Sequence, residues 1–120
     1  MEYILLLHDD ETRWDRMTPD EARAGYGAYM AYTNALREAG VYLGGNPLQP
    51  TTTATVVRVD GNGKTSVLDG PYADTKEQLG GYYLIDVADA DAAIQWAARC
   101  PCASTGTVEI RPIAAIAAPA

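Results

Sequence analysis

The stretch Asp69-Gly70-Pro71-Tyr72-Ala73-Asp74-Thr75-Lys76-Glu77 sets carboxylates, an amine and a phenol close together on what reads as a turn-rich loop. Asp69 is a candidate general base, provided that a cleft desolvates it. Lys76, or Arg58 in a strand upstream, would hold the enolate or carboxylate left when a proton is removed. Tyr72, or Tyr82 further on, would donate a proton or stack on an aromatic ring. Asp74, Glu77 and Arg111 complete the candidate ligand-binding groups, with Asp86 and Glu109 as further polar residues of the same cleft. The only histidine, His8, is a third catalytic candidate beside Asp69 and Lys76, because His titrates near neutrality and Asp9 or Asp69 would orient it. Each group also has a structural reading. Asp69 before Gly70 suits a turn cap. Lys76 and Glu77 can be solvated or weakly paired. Glu109 and Arg111 can be cross-strand partners. Arg58 can sit on an edge with its head in water. His8 can close a strand end by bonding a loop.

Elements must position these groups. Residues 80–87 are nearly continuously apolar and read as a buried central strand, fed directly by the reactive loop. Residues 2–8 form a first strand, apolar on both faces, and His8-Asp9-Asp10-Glu11 leaves it as an acidic loop. Thr18-Pro19-Asp20-Glu21 opens a helix: Thr18 fits the N-cap, Pro19 the first helical position, and Glu21 completes a capping box. Ala22, Tyr26, Tyr29, Thr33 and Leu36 recur at helical spacing as its buried stripe, and Gly40 ends it as a left-handed cap. Tyr26, Tyr29 and Tyr32 read as packing more readily than as a ligand box. Residues 41–50, with Gly44-Gly45-Asn46-Pro47, read as an irregular connection and match no phosphate-loop pattern. Residues 52–60 and 64–69 read as strands joined by an Asp60-Gly61-Asn62-Gly63 hairpin turn. Asp89 caps a second helix with Ile94, Ala97 and Cys100 on its buried stripe and Trp96 beside it; Pro101 stops it. Residues 106–112 form a last strand with Val108 and Ile110 on one face and Glu109 and Arg111 on the other.

Composition limits the options. At 120 residues and 48% hydrophobic content the chain holds a real core. We expect one domain over 1–113 and a C-terminal tail, 114–120, partly disordered. No segment suits a membrane span and the N-terminus lacks a basic leader, so a cytoplasmic protein is expected. The net charge of −7 is spread along the chain and includes no basic cluster, which argues against direct nucleic-acid binding. Cys100 and Cys102 flank Pro101: awkward disulfide partners, too few for a zinc set, and expected to be packed thiols. No metal or organic cofactor is expected.

Without its hairpin extension, the order of elements is β-α-β-β-α-β. That pattern predicts an α+β, ferredoxin-like sandwich with an antiparallel sheet. Two helices cover one sheet face only. The apolar second face predicts a homodimer, two sheets packed face to face into an α/β barrel with a cleft between them.

The stretch from Asp69 through Tyr83 resembles the signature of the DGPF family, a branch of the YCII-related proteins. Tyr72 stands where the family's short motif has Phe, which adds a hydroxyl. Met1-Glu2-Tyr3-Ile4-Leu5-Leu6-Leu7 resembles the family's opening strand. Ala97-Ala98-Arg99-Cys100-Pro101 and Val108-Glu109-Ile110-Arg111-Pro112 resemble its ending. The resemblance implies the same fold and the same dimeric α/β barrel. It also implies kinship with small cofactor-free enzymes acting on ring lactones, quinols or chlorinated aromatics, some with a proposed His–Asp pair. His8 does not match the family's helix-borne histidine, so that pair is not carried onto it. DGPF members are also associated with alternative sigma factors. The expected function is therefore a cofactor-free lyase or isomerase on a small oxygenated or aromatic ring. The alternatives are a ligand-sensing or protein-binding module linked to sigma-factor regulation, or a plain dimeric interaction domain.

Overall fold

In the computed structural model, which describes residues 1–116, β1 (Glu2–Asp9) leads through a 3-10 turn (Glu11–Arg16) into α1 (Pro19–Glu38). There follow β2 (Tyr42–Pro47), a second 3-10 turn (Thr51–Thr53), β3 (Thr55–Val59), β4 (Thr65–Asp69), β5 (Gln78–Asp86), α2 (Ala90–Arg99), α3 (Cys102–Thr105) and β6 (Thr107–Pro112). The tail residues 117–120, expected to be partly disordered, lie outside the described residues. The capping box forms as read: the Thr18 hydroxyl accepts from the Glu21 N–H at 3.1 Å, and the Glu21 carboxylate from the Thr18 N–H at 3.3 Å. Gly40, with φ 73°, ends α1, and Asp89 caps α2 by accepting from the Ala92 N–H.

One antiparallel sheet has the order β2-β5-β1-β6, the ferredoxin-like arrangement, with α1 and α2 on one face. Tyr3, Leu5 and Leu7 of β1 and Tyr83 and Ile85 of β5 point to the helices. They meet Tyr32 and Leu36 of α1, Ala93 and Ala97 of α2, and the free, buried thiols Cys100 and Cys102. Leu5, Leu36 and Ile85 are fully buried, each worth about 2 kcal/mol in burial of apolar surface.

The second sheet strand departs from expectation. Residues 41–50 are not an irregular connection: Tyr42–Pro47 pairs with β5 as an edge strand. Its glycines conceal it. Gly45 lies so close to β5 that a Cβ there would come within 2.6 Å of the Tyr82 carbonyl oxygen. A side chain would block the approach that pairing requires. The two strands read from 52–60 and 64–69 do form a hairpin, but it is a separate two-stranded sheet beginning at Thr55. Arg58 and Asp69 therefore do not lie on the four-stranded sheet beside Tyr82, Asp86, Glu109 and Arg111.

Both helix stripes also shift. Tyr32 and Leu36 are the buried residues of α1, with Tyr29 and Thr33 half-buried, while Tyr26 is 66% exposed. In α2 the buried face is Ala93, Ala97 and then Cys100, and Ile94 is exposed. The opposite sheet face carries half-buried Ile4, Leu6, Tyr82 and Leu84, bordered by Glu109 and Arg111, and no element among the described residues covers it.

Candidate functional site

The N-terminal half of α1 buries no residue in the core, whose contacts from this helix come from Tyr32 and Leu36. Trp14, from the first 3-10 turn, rests against α1 at Gly25 and stacks on Tyr26, ring centroids 5.0 Å apart at 30°. Gly25 makes this contact possible, since a Cβ there would sit 2.7 Å from the Trp14 ring. Between α1, this turn, β2 and the start of β5 is a cavity of about 630 Å³. Tyr26, Tyr29, Met30 and Arg37 line its helical wall, and Tyr42 and Tyr83 its sheet wall. Asp9, Glu11, Asp15 and Cys102 also line it. Its size and aromatic lining suit a small organic ligand.

Several polar groups of the cavity are already engaged. Arg13 grips Asp9 through Nη2 at 2.7 Å and Nε at 3.2 Å, and the Thr105 hydroxyl donates to the same oxygen at 2.8 Å. Glu11 accepts from the Thr51 N–H at 3.0 Å and hydroxyl at 2.5 Å, tying the turn before β3 to the end of β1. The Thr33 hydroxyl lies 2.9 Å from the Tyr29 carbonyl and 2.8 Å from the Tyr83 hydroxyl. A carbonyl only accepts, so Thr33 donates to it and Tyr83 donates to Thr33. Tyr32 donates to the Trp96 carbonyl at 2.7 Å. The Tyr29 hydroxyl has no hydrogen-bond partner among the described residues.

Burial pushes the Tyr29 phenol well above its ordinary value, helped by Cys100, Cys102 and Asp9 nearby. It is therefore a fixed proton donor at neutral pH. Burial likewise raises Tyr83, partly offset by its bond to Thr33. Cys102 is pushed up to about 11 by burial and then by Asp9 and Glu77. It is a neutral thiol, near the carbonyls of His8 at 3.4 Å and Thr107 at 3.7 Å. On the sheet wall the Arg37 guanidinium lies 4.8 Å from the Tyr42 ring centroid, a cation–π contact.

Of the site residues singled out from the sequence, Tyr82 borders this cavity, and the others fall elsewhere, in two groups and a loop. Arg58, Asp69 and Tyr72 converge on the hairpin around a small hollow of about 210 Å³, with the Arg58 guanidinium 5.7 Å from the Tyr72 ring centroid. His8, Tyr82 and Arg111 lie on the uncovered sheet face. There His8 Nε2 is 3.5 Å from Glu109, not beside Asp9 or Asp69. Asn46 donates to the Tyr82 hydroxyl at 2.9 Å. Asp74, Lys76 and Glu77 are exposed on the loop before β5, and Glu77 accepts from the Thr107 hydroxyl at 2.8 Å. Asp69 is exposed too, so its own chain does not supply the desolvation expected of a base. Sequence reasoning passed over Trp14 and Arg37 and took Tyr29 as helix packing. The available signal was Gly25 inside a helix, eleven residues after a tryptophan.

Comparisons with known proteins agree with this architecture. The 5-chloro-2-hydroxyhydroquinone dehydrochlorinase of Burkholderia phenoliruptrix AC1100, solved with 2,5-dihydroxybenzoquinone, is similar in fold, with a TM-score of 0.56 at 14% identity over 95% of this chain and 94% of that one. An uncharacterised protein of Rhizobium meliloti (strain 1021) is 39% identical over 116 residues, 95% of this chain and 93% of the relative. The family model described as the YCII-related domain matches residues 1–117. This chain therefore belongs to the YCII-related family.

Proposed function

We propose that this protein binds a small oxygenated aromatic ring in the cavity beneath α1 and catalyses a cofactor-free proton transfer on it, as a lyase or isomerase. The observation that carries this reading is the unpartnered Tyr29 hydroxyl, held protonated inside an aromatic cavity. A ring oxygen would accept from Tyr29, while Trp14, Tyr26 and Tyr42 supply faces for the ring. Asp15, exposed on the lining, is a carboxylate without the bonds that occupy Asp9 and Glu11, and it would take a proton from the ring. Arg37 would offset the negative charge left behind. The similar fold whose structure holds 2,5-dihydroxybenzoquinone supports the choice of ligand class. Asp69, His8 and Lys76 lie outside this cavity in a single chain, so a catalytic part for any of them would require a second copy.

A second reading is a ligand sensor, as in the transcription link that the DGPF resemblance implies. It is favoured by the engagement of Asp9 and Glu11 in structural bonds, which leaves the inner wall chiefly aromatic.

Titration with 2,5-dihydroxybenzoquinone and related hydroxyquinols should quench Trp14 emission. Tyr29→Phe should weaken binding about tenfold, the loss of one hydrogen bond from a buried donor. Turnover is read by NMR as deuterium entering the ring from heavy water. Binding without exchange selects the sensor. An absence of quenching across the panel removes the cavity as the binding site.

A further inference from the structure

The cavity is longer than a single ring. Its helical wall is one stripe of α1: Tyr26, Tyr29, Met30, Thr33, Asn34 and Arg37 all line it. Spacings of three and four residues keep these side chains on one face. From Tyr26 to Arg37 the helix rises about 16 Å. Trp14 and Tyr26 stack at one end of the stripe, and Arg37 and Tyr42 meet at the other. A ring lying at the first end does not reach the second. The volume agrees, because drug-sized ligands occupy cavities from about 300 Å³ upward and this one has about 630 Å³.

The two ends differ in charge. Asp9 pairs with Gln78 of β5, and Tyr42 pairs with Ile85. These two positions lie about 23 Å apart along the strand. Glu11 and Asp15 belong to the 3-10 turn that follows Asp9, so the acids of the lining gather at the Trp14 end. Arg13 offsets Asp9 there, which leaves the charges of Glu11 and Asp15. Arg37 is the one cationic side chain of the lining among the described residues. It enters no ion pair among them. Its guanidinium carbon lies 4.8 Å from the Tyr42 ring centroid. A guanidinium on a ring face still offers its planar fork of N–H donors to a carboxylate.

We propose that the ligand is an oxygenated ring with a short flexible arm ending in a carboxylate, the ring at the Trp14 end and the carboxylate on the Arg37 fork. This rests on the ring site proposed above and deepens it. Arg37 selects a charge that the ligand brings with it, besides offsetting any created on the ring. The reverse orientation is disfavoured, since the carboxylate would then face Glu11 and Asp15. A carboxylate attached directly to the ring would be held too near the Trp14 end to reach Arg37, so the arm has to carry it along the stripe.

The test is calorimetric titration with 3-(2,5-dihydroxyphenyl)propanoate, its neutral primary amide, and hydroquinone as the ring without an arm. The acid should bind about tenfold more tightly than the amide, as befits one charge-assisted contact at an exposed guanidinium. In Arg37→Gln that ratio should fall to about one. A purely structural role for Arg37 would weaken acid and amide alike and leave the ratio unchanged. Equal binding of acid and amide by the wild type overturns the inference, as does a ratio that survives Arg37→Gln. If hydroquinone binds and the acid gains nothing over its amide, the ring site stands and the arm falls. If none of the three binds, both fall.

Discussion

Trp14 and Gly25 show how a single missing side chain shapes the cavity. Alanine in a helix is normally worth about 1 kcal/mol over glycine. Here the added Cβ would meet the Trp14 ring at 2.7 Å and displace it from Tyr26. Gly25→Ala should therefore bring none of the usual helix gain, shift Trp14 emission, and weaken any ligand of the cavity. A variant about 1 kcal/mol more stable, with unchanged emission, would show that the contact does not constrain α1. At this scale the sequence revealed chemistry but not company. His8 was legible as a titratable group at a strand end, but its neighbour is Glu109 on the adjacent strand β6, two residues past its backbone partner Thr107 and remote in sequence. Tyr29 was legible as a helix residue, and only its place on the cavity wall reveals its unpartnered hydroxyl.

The short α3 and the start of β6 must fold tightly against the end of β1. Gly106 is the point of contact: any Cβ there would overlap the His8 carbonyl oxygen. A backbone atom cannot swing aside as a side-chain tip can. Gly106→Ala should cost about 2–4 kcal/mol, read as a lower urea midpoint. A change within 0.5 kcal/mol would mean that the turn rearranges freely. Elements with strong local signals were legible: the capping box of α1, the Asp89 cap of α2, the apolar run of β5 and the alternation in β6. β2 was not, because Gly44 and Gly45 carry no strand propensity and its pairing depends on closeness to β5. The stripe of α1 was misread at Tyr26 because periodicity identifies a face but not whether the helix lies flat on what it faces.

Across the whole molecule, the buried ionisable groups make stability depend on alkaline pH. Cys100 and Cys102 keep their protons to about 11 in the folded chain, against an ordinary value of 9.0, chiefly through burial. Tyr29 and Tyr32 are raised from 10.0 by the same cause. Between pH 9 and 11 the unfolded chain sheds thiol protons that the native state retains, so stability is full below this window and falls as pH rises through it. Each thiol contributes at most about 3 kcal/mol. Melting temperature should fall from pH 9 upward, less steeply in Cys102→Ala; a flat profile to pH 10.5 would contradict the burial of these groups.

The overall arrangement was legible because alternation and caps survive without tertiary context, whereas a cavity walled by elements far apart in sequence does not. The two outer strands of the sheet, β2 and β6, each finish on proline, Pro47 and Pro112. Proline has no amide hydrogen to offer a newcomer strand, and the neighbouring Glu109 and Arg111 add charge to one margin. Sideways growth into fibrils is blunted at both margins.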